Sequence, residues 1–228
     1  MIDKALIMMP AYNEAKNIAQ AIIEVRESYP KVDILVINDG STDKTVAIAK
    51  ALNVKVVSLP FNCSLGSVEI TGFMYAAANQ YEIIFRVDAD GQHIPAEIGK
   101  LAQPILDGQA DMVIGSRQNY RFPPARKTGS LIFSFIVKLI TGQKFSDCTS
   151  GFRAFNLGAA KFLSSNYSDD YAEVDCIINL IQAGFKVREV PVAMRCRAGG
   201  NSYLTLWRSV EYMLKVTLNI LIKSSRRK

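Results

Sequence analysis

The 228-residue sequence contains few cysteines, and it has no uninterrupted apolar run of the roughly 20 residues that a membrane-spanning helix needs. Its four cysteines lie far apart, without the Cys-x-x-Cys spacing of zinc sites, which is typical of a protein in a reducing cytosol. The sequence also lacks a Walker motif, and no Gly-x-Gly-x-x-Gly follows its first predicted strand. These absences argue against a P-loop nucleotidase and against a dinucleotide-dependent dehydrogenase.

Positive charge is concentrated towards the carboxyl-terminal end of the sequence. Residues 195–228 contain eight basic residues and one acidic residue, a net charge of +7, whereas residues 1–194 sum to −1. This distribution predicts an anionic partner, either a nucleic acid or an anionic membrane surface. No RNA-binding or DNA-binding motif is present, and a nucleic-acid partner would leave the acidic residues described below unexplained, so none is expected.

Two apolar stretches are candidates for contact with a membrane surface. Residues 130–140 predict either a buried helix or a helix lying near a bilayer. Residues 203–222 predict a helix with one apolar face that includes Trp207, followed by a basic cluster, which is typical of an amphipathic surface anchor. A helix packed on the protein body with a solvated tail is the alternative. Since neither stretch predicts a span, we expect anchoring by residues 203–228 alone or by a partner subunit.

Apolar runs alternate with helical patterns through the first half of the chain. Strands are predicted at residues 5–9, 33–38, 55–59, 83–87 and 111–115, with helices between them. Asn13 is the expected N-cap of the first helix, and Ser41 or Thr42 that of the second. Strands separated by helices of about ten or more residues predict right-handed βαβ units. The predicted fold class is therefore α/β, with a mostly parallel, Rossmann-like sheet flanked by helices.

The most informative stretch is EIIFRVDADGQH, residues 82–93. A buried strand ends there in Asp88 and Asp90, and Gly91 and Pro95 prevent its continuation. Two carboxylates at positions i and i+2 of a turn can converge on one hard cation, Mg²⁺ or Mn²⁺, whose other ligands are substrate phosphates. The alternative is a turn that only caps the next helix. The residues at the neighbouring strand ends decide between a cation-binding turn and a helix-capping turn.

Polar residues also follow the neighbouring predicted strands. They are Tyr12, Asn13 and Glu14 after the first strand, Asp39 and Gly40 after the second, and Arg117 after the fifth. The carboxyl ends of parallel strands form one edge of an open α/β sheet, which is where ligands bind. The sequence therefore predicts a single site along this edge.

Five short motifs, PAYNE, INDGSTD, DADGQH, GSR and DCTSGFR, occur in the order found in a known enzyme family. Together they resemble the inverting glycosyltransferases of family 2, which have the GT-A nucleotide-sugar-binding fold. The greatest similarity is to dolichyl-phosphate mannose synthases and bacterial polyprenyl-phosphate sugar transferases. The resemblance covers about residues 7–202 and implies a GT-A domain over residues 1–202, with a nucleotide-sugar half (1–117) and an acceptor half (118–202), followed by a membrane-surface helix over residues 203–228.

The resemblance implies a role for each candidate residue. The nucleotide sugar is expected to contact Pro10, Tyr12, Asn13, Glu14, Asp39, Gly40 and Asp88, with Asp39 against the base. The metal ligands are expected to be Asp88, Asp90 and Gln92. The catalytic residues are expected to be Asp90, Arg117 and Asp147. The acceptor phosphate is assigned to Arg117, Arg126, Ser130 and Arg197, with Glu173 and Asp175 as second-rank residues facing the acceptor. One departure is NCSLG at residues 62–66, where the family commonly has a Gly-Lys-Gly type turn.

The predicted function is metal-dependent transfer of a sugar, with inversion, from a UDP- or GDP-sugar to a dolichyl or undecaprenyl phosphate. The protein is then expected to be cytoplasmic and peripheral to the cytosolic face of a membrane. Two alternatives remain: transfer to a hydroxyl of a cell-wall or surface polysaccharide, and a non-catalytic, membrane-docked subunit that binds a nucleotide sugar. The role of Asp147 differs between the lipid phosphate acceptor and the saccharide hydroxyl acceptor. A hydroxyl acceptor needs a general base, whereas an ionised phosphate needs only orientation.

Overall fold

The computed structural model describes residues 4–117, 124–167 and 172–195, and side chains are described for all of these except residues 124–127 and 172. Within these ranges the strands are β1 (Ala5–Ala11), β2 (Asp33–Asn38), β3 (Lys55–Ser58), β4 (Ile83–Arg86), β5 (Met112–Arg117), β6 (Arg153–Asn156) and β7 (Val187–Val192). The α-helices are α1 (Ile18–Ser28), α2 (Thr45–Ala51), α3 (Leu65–Ala78), α4 (Ile98–Leu106), α5 (Pro124–Thr141), α6 (Leu157–Asn166) and α7 (Ala172–Gln182), and a 3₁₀ turn (Pro95–Glu97) precedes α4. The predicted helix over residues 203–222 lies outside the described residues.

The strands form a seven-stranded sheet in the order β3-β2-β1-β4-β6-β5-β7. Neighbours pair in parallel except at β6, which is antiparallel to both β4 and β5. The mostly parallel sheet predicted from the sequence is confirmed, whereas β6 and α6 were not predicted. Because β6 runs against its neighbours, its amino-terminal end lies where β4 and β5 end. The segment leading into β6, which contains Asp147, is thereby placed at the predicted edge.

The core lies on both faces of the sheet, which explains why the central strands are apolar throughout rather than alternating. Successive side chains of a strand point to opposite faces. On β1, Leu6 and Met8 pack with residues of α3, α5, α6 and α7, whereas Ile7 and Met9 pack with residues of α1 and α4. This two-sided burial fixes the sheet and, with it, the positions of the loops at its carboxyl edge.

The predicted caps of the first two helices are wrong. Helix α1 begins at Ile18, with Asn17 at the N-cap position, and α2 begins at Thr45, with Lys44 at that position. Asn13 instead has a φ of +55°, a conformation that asparagine tolerates better than most residues. Its Oδ1 accepts a hydrogen bond from the Thr42 amide (2.9 Å), while its own amide donates to Ser41 Oγ (2.9 Å). The cap-forming residues are therefore used to join the loop after β1 to the loop after β2.

Helix α5 contains the apolar stretch of residues 130–140 and has two different faces. Phe133 and Val137 are buried in the core, whereas Leu131, Phe135 and Leu139 are 61–76% exposed. The stretch is thus a core-packed helix that also presents apolar side chains to the outside. Among the helices of the described ranges, none combines the length and apolar character required to cross a bilayer.

Candidate active site

Asp39, in the loop after β2, is held in a fixed orientation by the loop after β3. Asp39 is 9% exposed, and its carboxylate accepts hydrogen bonds from the Cys63 amide (2.8 Å) and from Asn62 Nδ2 (3.1 Å). Tyr12, the first residue after β1, is 44% exposed and faces solvent. The residues predicted to contact the nucleotide therefore include one anchored acid and one accessible ring.

Gly40 allows the NCSLG loop to approach Asp39. Its φ is +68°, and a Cβ atom at this position would lie 2.5 Å from the carbonyl carbon of Phe61 and 2.6 Å from the amide nitrogen of Asn62. Both atoms belong to the backbone, so no side-chain rotation could relieve the overlap. The departure from the family's usual turn therefore still gives a loop that packs closely on the predicted base-binding carboxylate.

The turn after β4 carries Asp88, Asp90 and Gln92. The Gln92 amide donates to Asp90 Oδ1 (3.1 Å), and the Gln92 side-chain amide donates to the other oxygen of the same carboxylate. The Asp88 amide donates to Nδ1 of buried His93 (3.0 Å), whose ring stacks on Phe152 at 4.6 Å. Burial lowers the pKa of His93, against the opposing effect of the Asp88 and Asp90 charges. Both carboxylates therefore lie near one neutral imidazole, a feature that the sequence did not predict.

This turn fits a hard divalent cation. Its donors are carboxylate and carboxamide oxygens, the ligands that Mg²⁺ and Mn²⁺ prefer. The Asp88 side chain is 30% exposed, and a Cβ atom at Gly151 would lie 3.1 Å from its Oδ2, so the glycine keeps space open beside this oxygen. Over the described part of the chain, no group of three or more His, Cys, Asp or Glu side chains forms a metal cage.

Arg117 and Asp147 form a bidentate ion pair at the same edge. Arg117 Nε lies 2.6 Å from Asp147 Oδ2 and its Nη2 lies 2.6 Å from Oδ1, while Nη2 also donates to Thr149 Oγ1 (2.8 Å). Both side chains are more than 90% buried. Glu189 of β7 holds the backbone of this segment, because its Oε1 accepts from the Asp147 amide (2.8 Å). The sequence predicted both members of the pair as site residues but not their contact.

The environment of Asp147 favours its ionised form. Burial alone would raise its pKa, but the hydrogen bonds and positive charge of Arg117, together with the Thr149 hydroxyl, outweigh burial and hold the pKa below its ordinary value. A carboxylate whose two oxygens are bound to a guanidinium is a weak proton acceptor. The geometry therefore favours orientation over general-base catalysis.

This pair predicts a pH-dependent contribution to stability. Replacing Asp147 with Asn is expected to lower the free energy of unfolding at pH 7 by about 3 kcal/mol, because buried Arg117 loses its counter-charge. Since the folded pKa is below the ordinary value of about 3.9, the contribution is present above that value and is lost as the pH falls through the folded pKa. Urea unfolding of both proteins between pH 7 and pH 3 should show converging stabilities. A difference that stays constant with pH would contradict this prediction.

The remaining predicted residues are distributed as follows. Glu173, near the start of α7, has its Oε1 3.6 Å from Nη2 of Arg86, so it belongs to an ion-pair cluster behind the Asp88 turn. Asp175 and Ser130 are buried. Arg197 and the side chain of Arg126 lie outside the described residues. Two buried members of the cluster, Arg86 and Glu69, were not predicted, although an arginine in an apolar strand and a glutamate in an apolar helix were visible signals.

Comparison with known proteins identifies the family of the chain. The model of glycosyl transferase family 2 matches residues 6–163. The chain is 31% identical to a polyprenol monophosphomannose synthase of Mycolicibacterium smegmatis, over 94% of this chain and 86% of the relative. It is 32% identical to a UDP-N-acetylglucosamine–dolichyl-phosphate N-acetylglucosaminyltransferase of Methanococcus voltae, over 84% of this chain and 86% of the relative.

A solved structure has the same fold. It is the glucosyl-3-phosphoglycerate synthase of Mycobacterium tuberculosis in complex with Mn²⁺, UDP and phosphoglyceric acid. This structure superposes with a TM-score of 0.69 at 18% identity, covering 86% of this chain and 71% of that chain. The predicted GT-A fold is confirmed. The family match, together with the identity to both relatives, shows that the chain is a glycosyltransferase belonging to glycosyltransferase family 2.

Proposed function

We propose that the protein transfers a sugar from a UDP- or GDP-sugar to a polyprenyl phosphate, with inversion at the anomeric carbon, and that the transfer requires Mg²⁺ or Mn²⁺. The observation that carries the choice of acceptor is the Arg117–Asp147 ion pair. Its distances of 2.6 Å commit both carboxylate oxygens to the guanidinium, so Asp147 is poorly suited to deprotonate a sugar hydroxyl. An ionised phosphate needs no such base. Both relatives, a polyprenol monophosphomannose synthase and a dolichyl-phosphate transferase, support the same acceptor class.

The proposal assigns donor and acceptor to separate parts of the sheet edge. Asp39, fixed by Cys63 and Asn62, would contact the nucleobase, and the turn of Asp88, Asp90 and Gln92 would hold the cation beside the donor diphosphate. The bound cation would neutralise negative charge on the departing diphosphate. The manganese and UDP in the glucosyl-3-phosphoglycerate synthase structure support this assignment.

The transfer is a single displacement. An oxygen of the acceptor phosphate forms a bond to the anomeric carbon while the bond from that carbon to the diphosphate oxygen breaks, and the electron pair leaves with the nucleoside diphosphate. Arg117 would orient the acceptor phosphate with its positive charge, because Asp147 holds the guanidinium in place through Nε and Nη2. Arg126, Ser130 and Arg197 are further candidates for acceptor binding.

A donor and acceptor panel tests the proposal. UDP- and GDP-sugars are each incubated with polyprenyl phosphate in detergent and, separately, with an oligosaccharide acceptor, and each product is treated with mild acid. We expect one or a few donors to give a product that mild acid releases, as a sugar phosphodiester requires. An acid-stable product formed on a saccharide would favour the hydroxyl acceptor. Absence of any transfer or metal-dependent donor hydrolysis across the panel would favour the non-catalytic subunit.

The exposed face of α5 supports a membrane location. Leu131, Phe135 and Leu139 recur every four residues and are 61–76% exposed. In the sequence, Arg121 precedes α5, and Arg126 and Lys127 belong to its first turn; basic residues of this kind bind anionic lipid. We infer that this face rests on the lipid surface, with the acceptor phosphate held at its amino-terminal end.

Replacing Phe135 with Ser is expected to weaken binding to anionic phosphatidylglycerol vesicles about tenfold, as the loss of about 1.4 kcal/mol of apolar burial would do. Co-sedimentation with vesicles measures this. The matched control is Leu106→Ser, which alters another exposed apolar side chain (51% exposed) at the end of α4. Equal effects of the two substitutions would show that the α5 face has no special role.

A further inference from the structure

A buried cluster of charges lies directly behind the proposed metal turn. Arg86 ends the otherwise apolar strand β4 and is 3% exposed. Its guanidinium contacts three carboxylates from three different segments: Glu69 of α3, Asp88 of the turn (Nε to Oδ1, 3.3 Å) and Glu173 of α7 (Nη2 to Oε1, 3.6 Å). One side chain therefore connects two helices to the residue proposed to bind the metal.

Glu69 is the innermost member of the cluster. It is fully buried on α3, and besides its contact with Arg86 its carboxylate accepts a hydrogen bond from the Tyr167 hydroxyl. Burial raises the pKa of Glu69, although the positive charges of Arg86 and Arg153 oppose this. A buried ion pair is a poor source of stability, because the cost of removing both charges from water often exceeds their attraction. A contribution to the stability of the fold alone therefore does not account for the Arg86–Glu69 pair.

Gly151 leaves space beside the contact between Arg86 and Asp88, because it has no side chain. A Cβ atom at Gly151 would lie 3.0 Å from Arg86 Nη2 and 3.1 Å from Asp88 Oδ2. Asp88 Oδ1 faces Arg86, while Oδ2 lies on the side of this glycine and 3.7 Å from His93 Nε2. The carboxylate is thus held in one orientation, with one oxygen bound to protein and the other beside the space that Gly151 leaves.

We propose that Arg86 is a positioning residue for Asp88, with Glu69 fixing the guanidinium, so that Asp88 Oδ2 is presented to the divalent cation before that cation binds. The proposal rests on the metal role assigned to Asp88 and Asp90 above. Groups that orient a metal ligand commonly contribute about 10- to 100-fold to metal affinity. The effect of Arg86 should therefore appear in cation binding itself and not only in the rate of sugar transfer.

The test is a titration of the protein with Mn²⁺ in the presence of UDP or GDP, with free Mn²⁺ measured by electron paramagnetic resonance. Arg86→Met keeps most of the side-chain length without its charge and is expected to raise the dissociation constant for Mn²⁺ about tenfold. Glu69→Gln keeps its shape and is expected to cause a smaller change in the same direction. It serves as the second variant if Arg86→Met does not fold.

The control variant is Asp111→Asn. Asp111 accepts hydrogen bonds from Asn156 Nδ2 (2.7 Å) and from the Lys186 amide (2.7 Å) just before β5, at the opposite edge of the sheet. This substitution should lower the melting temperature without changing Mn²⁺ affinity. A variant of Arg86 or Glu69 that loses stability to the same extent but binds Mn²⁺ as tightly as the wild type would show a structural role alone.

The outcomes separate this inference from the proposed function. Unchanged or tighter Mn²⁺ binding in folded Arg86→Met and Glu69→Gln would overturn the positioning role, the latter result showing that Arg86 competes with the cation for Asp88. Failure of the wild-type protein to bind Mn²⁺ with either nucleotide would instead overturn the metal site and the inference together. Weaker binding in the variants, with an unaffected control, would support both.

Discussion

Replacing Asp90 with Ala is expected to lower kcat/KM for sugar transfer about a thousandfold, the largest effect that we predict for a single residue. The Asp90 carboxylate lies on the turn shared with Asp88, and its Oδ1 accepts from the Gln92 amide at 3.1 Å. Its loss would remove a metal-binding charge and also free Gln92. Since stabilisation of the leaving diphosphate is strongest in the transition state, kcat should fall more than donor affinity.

The measurement is initial-rate transfer to polyprenyl phosphate at saturating Mn²⁺. Asp90→Asn separates charge from shape, because it retains one oxygen donor and the side-chain size, and it should lose nearly as much activity. Asp107→Ala is the matched control, since Asp107 is an exposed aspartate that follows α4 and contacts only Gln103 among the hydrogen bonds formed by side chains of the described residues. Full activity in Asp90→Ala would remove the metal role.

Replacing Arg117 with Ala is expected to lower kcat/KM for the lipid phosphate about a hundredfold, with little change in the KM for the nucleotide sugar. Arg117 is held by two bonds of 2.6 Å to Asp147, so its guanidinium is already oriented before the acceptor arrives. Loss of one charge-assisted contact to a phosphate in a buried site costs about 2.7 kcal/mol, which corresponds to this factor.

Two further variants sharpen the test of Arg117. Arg117→Lys keeps the positive charge but not the bidentate fork, so it should recover only part of the activity. Arg188→Ala alters an exposed arginine of β7 whose side chain contacts Gln109, and it should leave acceptor use unchanged. An Arg117→Ala protein with the acceptor KM and kcat of the wild type would count against the assignment of Arg117 to the acceptor phosphate.

The sequence predicted the parts of the fold that depend on local pattern. The strands that became β1, β2 and β4 have apolar interiors because both of their faces are buried, and each is followed by a glycine or a polar turn. Parallel pairing of such strands places their carboxyl ends at one edge, so the shared location of Asp39, Asp88 and Arg117 followed from order alone. Their individual roles stay predictions, as does the division of the chain at residue 117.

The features that the sequence did not predict depend on contacts between distant residues. Strand β6 has only four residues, RAFN, too few to show a period, and it is recognisable only from its pairing with β4 and β5. The contact between Arg117 and Asp147 joins the end of β5 to the segment that precedes β6, 30 positions further along the chain. The Glu69–Arg86 pair likewise joins α3 to β4, and local propensity has no bearing on such a pair.

The helix caps failed for a related reason. Asn13 and Ser41 have the residue types that favour N-caps, and in isolation either would cap a helix. In the folded chain the two loops lie side by side, and each side chain accepts a hydrogen bond from the other loop's backbone instead: Ser41 Oγ from the Asn13 amide and Asn13 Oδ1 from the Thr42 amide, both at 2.9 Å. Tertiary contacts thus replaced a local preference at the edge that forms the proposed donor site.

The most direct test of the proposed chemistry is the metal dependence of lipid-linked sugar formation. The wild-type protein is treated with EDTA, assayed with its preferred nucleotide sugar and polyprenyl phosphate, and assayed again after Mn²⁺ or Mg²⁺ is restored in excess. We expect transfer to stop in EDTA and to return with the cation, because Asp88 and Asp90 alone cannot neutralise a departing diphosphate. Undiminished formation of the acid-labile lipid in EDTA would show that those two aspartates serve some other purpose.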